Sequence, residues 1–205
     1  MSAPVLWILL WLGLGIVIVQ RRSMAIALLG AQSIVLGVVA IHDSITTGSG
    51  FFIAGSGLIA RGLLLPLLLA MIVRGTREPR RVAGERYALP RLLLAVLAMG
   101  SAAALIPDFG FEHAAEGKAA IALVVLGIVI AAVRRPVVFQ AIGFLVAENG
   151  VYLAGLAVAG GLPGVVEMAL VFDLLLVLVV AAAFGAKIHE EFGTSDTTVL
   201  RSLRD

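Results

Sequence analysis

Apolar runs alternate with short polar breaks seven times along the 205-residue chain. The runs extend approximately from Pro4 to Gln20, Met24 to Ile41, Phe51 to Val73, Pro90 to Ile106, Lys118 to Val133, Val137 to Gly160 and Leu162 to Lys187. A helix rising about 1.5 Å per residue crosses a hydrocarbon core about 30 Å thick within runs of this size, so the pattern predicts seven transmembrane helices. Helix punctuation agrees, with Pro4, Pro90, Pro136 and Pro163 near predicted starts and Gly48, Gly50, Gly160 and Gly161 in predicted turns. The fold class expected is therefore all-α and polytopic. Its parts are three N-terminal helices over 1–76, a basic loop over 77–89, a fourth helix with an acidic loop over 90–116, a three-helix unit over 117–190 and a tail over 191–205.

Composition narrows the class further. Apolar residues make up 61% of the chain, charged residues 14%, glycines number 23 and the mean hydropathy is +1.11. A water-soluble domain, with about a quarter of its residues charged, could not be covered by so little polar surface. The chain has no cysteine, which excludes disulfides, thiolate nucleophiles and cysteine-ligated iron–sulfur clusters. A formal charge of +2 does not point to nucleic acid, because the basic residues do not gather on a soluble face. Glycine pairs such as Gly48/Gly50 and Gly55/Gly57 lack the context of a phosphate-binding loop.

Orientation follows from lysine and arginine. Of the 15 basic residues, 13 fall in odd-numbered breaks: Arg21 and Arg22; Arg74, Arg77, Arg80, Arg81, Arg86 and Arg91; Arg134 and Arg135; and Lys187, Arg201 and Arg204. The even-numbered breaks carry Asp43, Asp108, Glu112 and Glu116 with Lys118 as their one cation. The positive-inside rule then puts the N-terminus outside and the C-terminus in the cytoplasm. The first run has no basic segment before it and arginines directly behind it, as expected of an uncleaved anchor. An arginine-punctuated echo of Ile16-Val17-Ile18, Arg21-Arg22 and Gly30 in Ile128-Val129-Ile130, Arg134-Arg135 and Gly143 hints at duplication. The loop from Arg74 to Arg91 suits contact with anionic lipid, and docking of an acidic soluble partner is the alternative.

Candidate chemistry lies in the ionisable residues within the runs. These are Arg61 in the third, Glu148 in the sixth, and Glu167 and Asp173 in the seventh. Insertion of arginine or aspartate at a helix centre costs about 2.5–3.5 kcal/mol, so such groups face the bundle interior, pair with one another and mark ion or proton paths. Counting residues from the predicted helix starts puts Arg61, Glu148 and Asp173 at a shared depth near the midplane, whereas Glu167 lies nearer the outer end. Desolvation favours the protonated carboxylate and a neighbouring arginine favours the ionised one, the competition a proton relay needs. Arg61 keeps its proton and serves as counter-charge or gate. Pro66, five residues on, frees the Gly62 carbonyl and bends the third helix beside that charge. Gln32, Ser33, Gln140, Asn149 and Tyr152 could extend a hydrogen-bonded path, although joining helices is the commoner role of such residues. His42 and His113 come from separate loops and do not suggest a metal site.

These residues also carry a family resemblance. The stretch from Gly143 through Glu148-Asn149-Gly150 to Leu153, then Val166-Glu167 with Asp173 six residues later, then a tail with Gly193 to Asp196 and Leu200 to Leu203, resembles component E of hydrogenase-4. Gln32-Ser33 and the Arg61-to-Pro66 segment match as well, so the resemblance covers nearly the whole chain. From about Lys118 onward the chain is also similar to the K subunit of complex I and the C subunit of multisubunit Na⁺/H⁺ antiporters. Two departures stand out: the hydrogenase family favours lysine where this chain has Arg61, and the complex I subunit has its first buried carboxylate where this chain has Leu145, one turn before Glu148.

The resemblance implies a non-catalytic subunit of a group 4 [NiFe] hydrogenase or formate hydrogenlyase-type complex in a prokaryotic inner membrane. It implies no cofactor in this chain, with nickel–iron and iron–sulfur centres carried by partners. Those partners would be antiporter-like and quinone-module-like membrane subunits and a peripheral hydrogenase-type arm. Proton (or sodium) passage would run through Glu148, Asp173, Glu167, Arg61 and Gln32. Two other functions remain open on the residues alone: a subunit of a cation antiporter without redox partners, and a structural scaffold whose charges pin helices together.

Overall fold

The computed structural model describes residues 2–48, 50–75, 88–105 and 114–157, with Leu175, Val179, Ala182 and Ala183 helical beyond them. Among the described residues six α-helices follow one another: α1 (Ala3–Ile18), α2 (Arg22–Thr47), α3 (Phe52–Gly75), α4 (Ala88–Leu105), α5 (Ala114–Val133) and α6 (Val137–Ala157). No strand occurs among the described residues. Helices α2, α4, α5 and α6 are each long and apolar enough to cross a membrane, while α1 and the Phe52–Leu67 part of α3 are apolar over shorter lengths. The described residues are all-α, with four helices able to span a membrane. Glu167 and Asp173 of the seventh run, and the loop with His113, lie outside the described residues.

The helix ends follow local chemistry more than hydropathy. Helix α2 starts at Arg22 and continues past the apolar run to Thr47, because Thr46 closes its own last turn by donating to the His42 carbonyl at 2.9 Å. Gly48 stops it in a left-handed conformation, φ 70°, which an L side chain rarely adopts. Helix α5 begins at Ala114, four residues before the apolar run, so Glu116 is part of its first turn and not of the preceding loop. A carboxylate there complements the positive end of the helix dipole.

Close packing rests on glycine. Between lipid-facing helices no hydrophobic drive brings surfaces together, and small residues that let backbones touch take its place. Helices α2 and α3 meet at Gly30, Gly37, Gly55 and Gly62. A Cβ on Gly37 would lie 2.7 Å from the Gly55 carbonyl oxygen, and one on Gly30 would lie 2.8 Å from that of Gly62. Pro66 removes the amide hydrogen that the Gly62 carbonyl would otherwise accept, and this oxygen and the proline ring both bear on Gly30. Helices α5 and α6 meet in the same way at Gly127, Gly143 and Gly150. The suggested repeat thus places its two glycines differently, Gly30 against the following helix and Gly143 against the preceding one.

The two glycine-locked pairs join along α2 and α6, and α1 packs against α2, α4 and α5. Leu9, Leu29, Leu36, Leu58, Leu123, Ile142 and Leu153 are buried between helices, while Trp7, Trp11, Leu63, Leu97 and Phe144 point outward.

A polar attachment holds α1 at its C-terminal end. Arg134, in the α5–α6 turn, is buried; its Nη2 donates to the Val19 carbonyl at 2.8 Å and its Nη1 to that of Val17 at 3.5 Å. The last carbonyls of a helix have no intrahelical donor, and a planar fork can serve two at once. Its guanidinium also lies 3.7 Å from the centroid of the Phe139 ring. An arginine expected only to set topology is here a buried helix cap. Replacing it, Arg134→Met, should lower stability in detergent by about 1–3 kcal/mol, and Arg134→Lys should not restore it. Thermal unfolding followed by circular dichroism reads both; wild-type melting of Arg134→Lys would show that charge alone suffices.

Candidate functional site

Six of the residues singled out on the sequence, Arg61, Glu148, Tyr152, Gln32, Ser33 and Asn149, come together on three helices. Arg61 on α3 and Glu148 on α6 form an ion pair, with Arg61 Nη1 3.1 Å from Glu148 Oε1. Their side chains are 2% and 10% exposed, so the pair is held away from solvent. Arg61 Nη2 also donates to the Leu145 carbonyl at 3.3 Å, so one guanidinium grips α6 at both a side chain and the backbone. Leu145 and Glu148 are three residues apart and therefore on the same face of α6, which lets one planar group reach both. Tyr152, a further turn along that face, is buried within the electrostatic reach of Arg61.

Beside this pair lies an uncharged network. Asn149 Nδ2 donates to Gln32 Oε1 at 3.0 Å and lies 3.2 Å from Ser33 Oγ, and the Ser33 hydroxyl donates to Asn149 Oδ1 at 3.3 Å. Gln32 Nε2 donates in turn to the Leu9 carbonyl of α1 at 2.9 Å. Gly13 leaves room for that bond, since a Cβ there would stand 3.3 Å from Gln32 Nε2 and 2.5 Å from Leu126 Cδ2. Gln32 and Asn149 are fully buried. A satisfied network of this kind is stabilising in a low-dielectric interior, where an unpaired amide would be costly.

Glu148 and Asn149 are consecutive residues, about 100° apart around the helix, so α6 turns its charge toward α3 and its carboxamide toward α2. The chemical division is sharp. The carboxylate is a group that can gain and lose a proton, and the amides are fixed donors and acceptors that hold α1, α2 and α6 in register.

Other sequence candidates sit apart. Gln140 spends its Nε2 on the Arg135 carbonyl at 3.3 Å near the start of α6, and His42 is exposed near the end of α2. Among the described residues no group of three or more His, Cys, Asp or Glu side chains could hold a metal ion. One participant was not anticipated, the Leu145 carbonyl, because a main-chain acceptor carries no side-chain signal in the sequence.

The chain is similar to an uncharacterized protein of Mycobacterium tuberculosis, Rv0085, with 29% identity over 199 residues that cover 93% of this chain and 90% of the relative. No family model matches the chain, and no solved structure matches it.

Proposed function

We propose that this chain is a non-catalytic membrane subunit of a redox-linked ion-translocating complex of the group 4 [NiFe] hydrogenase and complex I type, in which Glu148 takes up and releases the ion against Arg61. The observation that carries the reading is the buried ion pair of Arg61 and Glu148 midway along α3 and α6. Ionisable groups are kept inside a membrane bundle at a cost, and a paired carboxylate is a common way to build an ion path. The residues of the hydrogenase-4 resemblance add to it, because its most specific run is the one holding Glu148 and Asn149. Asp173 and Glu167 would continue the path in the seventh apolar run, and Gln32 borders it. The partners in this reading are antiporter-like and quinone-module-like membrane subunits and a peripheral arm carrying the metal centres, in a prokaryotic inner membrane with the basic breaks in the cytoplasm.

Glu148→Gln preserves shape and an acceptor for Arg61 while removing the titrating group. In the assembled complex it should abolish most ion translocation in sealed membrane vesicles while the subunit still copurifies with its partners. Unchanged translocation would sink the reading. Mild detergent purification of the tagged chain with mass spectrometry of its companions separates the two assemblies: hydrogenase-type subunits support the redox complex, and antiporter subunits alone support a cation antiporter. A scaffold role is the second reading, favoured by the amide network of Gln32, Ser33 and Asn149. It predicts that Glu148→Gln impairs assembly more than transport.

A further inference from the structure

We infer that the ion handled at Glu148 is a proton and that Arg61 is the residue that excludes sodium; this rests on the reading of Glu148 as the ion-carrying group. Hard cations are held by several converging oxygens from carboxylates, carbonyls and water. Arg61 already faces two of the oxygens at this site. Leu145 O accepts from Arg61 Nη2 at 3.3 Å, and Glu148 Oε1 has Arg61 Nη1 at 3.1 Å. On the neighbouring face Asn149 Oδ1 accepts from Ser33, Gln32 Oε1 from Asn149, and Leu9 O from Gln32.

A sodium ion at Glu148 would either displace the guanidinium or sit beside it as a second cation, and both leave like charges buried together. A proton asks for neither. It forms one O–H bond on the carboxylate, needs no shell of ligands, and leaves Arg61 its bond to the Leu145 carbonyl. Among the described residues Arg61 of α3 pairs with the carboxylate, Tyr152 lies one turn further along α6, and α2 brings the neutral Gln32 and Ser33 to the neighbouring face.

The test is labelling of Glu148 by dicyclohexylcarbodiimide, an apolar reagent that attacks protonated carboxyls within membranes, in native membranes holding the intact complex. Peptide mass spectrometry locates the adduct, and Glu148→Gln removes it. The expected result is labelling that falls as pH rises and proceeds at one rate in sodium chloride and in choline chloride. Protection by sodium would overturn the inference, and so would absence of labelling across the pH range, since a carboxylate that never protonates carries no proton. Arg61→Gln should introduce protection by sodium, and labelling of that variant indifferent to sodium would strip Arg61 of the role. Failure of the parent reading shows separately, as ion translocation that survives Glu148→Gln.

Discussion

Arg61→Met is expected to destabilise the bundle by about 3–5 kcal/mol, because it leaves the Glu148 carboxylate buried without its counter-charge. The loss includes the bond to the Leu145 carbonyl, one of the polar ties between α3 and α6. Most of it should return in the double variant Arg61→Met with Glu148→Leu, since replacing both members of a buried pair by apolar groups of similar size is often neutral. Unfolding of all four proteins in one detergent closes the double-mutant cycle. Additive losses, with no recovery in the double variant, would show that the two groups do not interact and would remove the basis of the proposed site.

The second large effect falls on the glycine contacts. A Cβ on Gly127 would overlap the backbone nitrogen of Ala147 and stand 2.5 Å from the Gly143 carbonyl oxygen. Backbone atoms cannot rotate away as a side chain can, so Gly127→Ala and Gly143→Ala should each force α5 and α6 apart, at a cost of about 1–3 kcal/mol or more. Gly57→Ala and Gly100→Ala supply the comparison, because nothing lies within 4 Å of a Cβ at either position. Those two should fold as well as the parent or slightly better, alanine being the stronger helix former. Equal yields of folded, monodisperse protein from all four variants would mean that α5 and α6 do not pack by backbone contact. The same contacts hold the site together, since Glu148 and Asn149 lie between Gly143 and Gly150, on a helix whose opposite side is pressed against α5.

Much of this architecture was legible one residue at a time. Apolar runs gave the existence of α1 to α6 and their order, and the ends moved furthest at Thr47 in α2 and at Ala114 in α5. Residue counting along the helices also put Arg61 and Glu148 at one depth, and their contact agrees with that. Depth is a one-dimensional quantity, fixed by rise per residue, so spacing suffices for it.

Rotation and neighbour choice are different. Whether Arg61 faces Glu148 depends on how α3 and α6 are turned about their axes. The close contacts of Gly30 with Gly62 and of Gly127 with Gly143 set those turns, and they join residues far apart in the chain. For the same reason Gln32 and Asn149 were visible as polar residues in apolar runs, but their bond was not. Nor was the cap that Arg134 places on α1, which joins positions 115 residues apart.

Hydropathy and helical rise therefore determined the all-α class, the order of α1 to α6 and the common depth of Arg61 and Glu148. Only the tertiary structure decided that a carboxylate meets a guanidinium on one face of α6 while carboxamides close the next. The physical reason is that pairing depends on the azimuth of each helix, which backbone contacts between distant glycines set and no local pattern encodes.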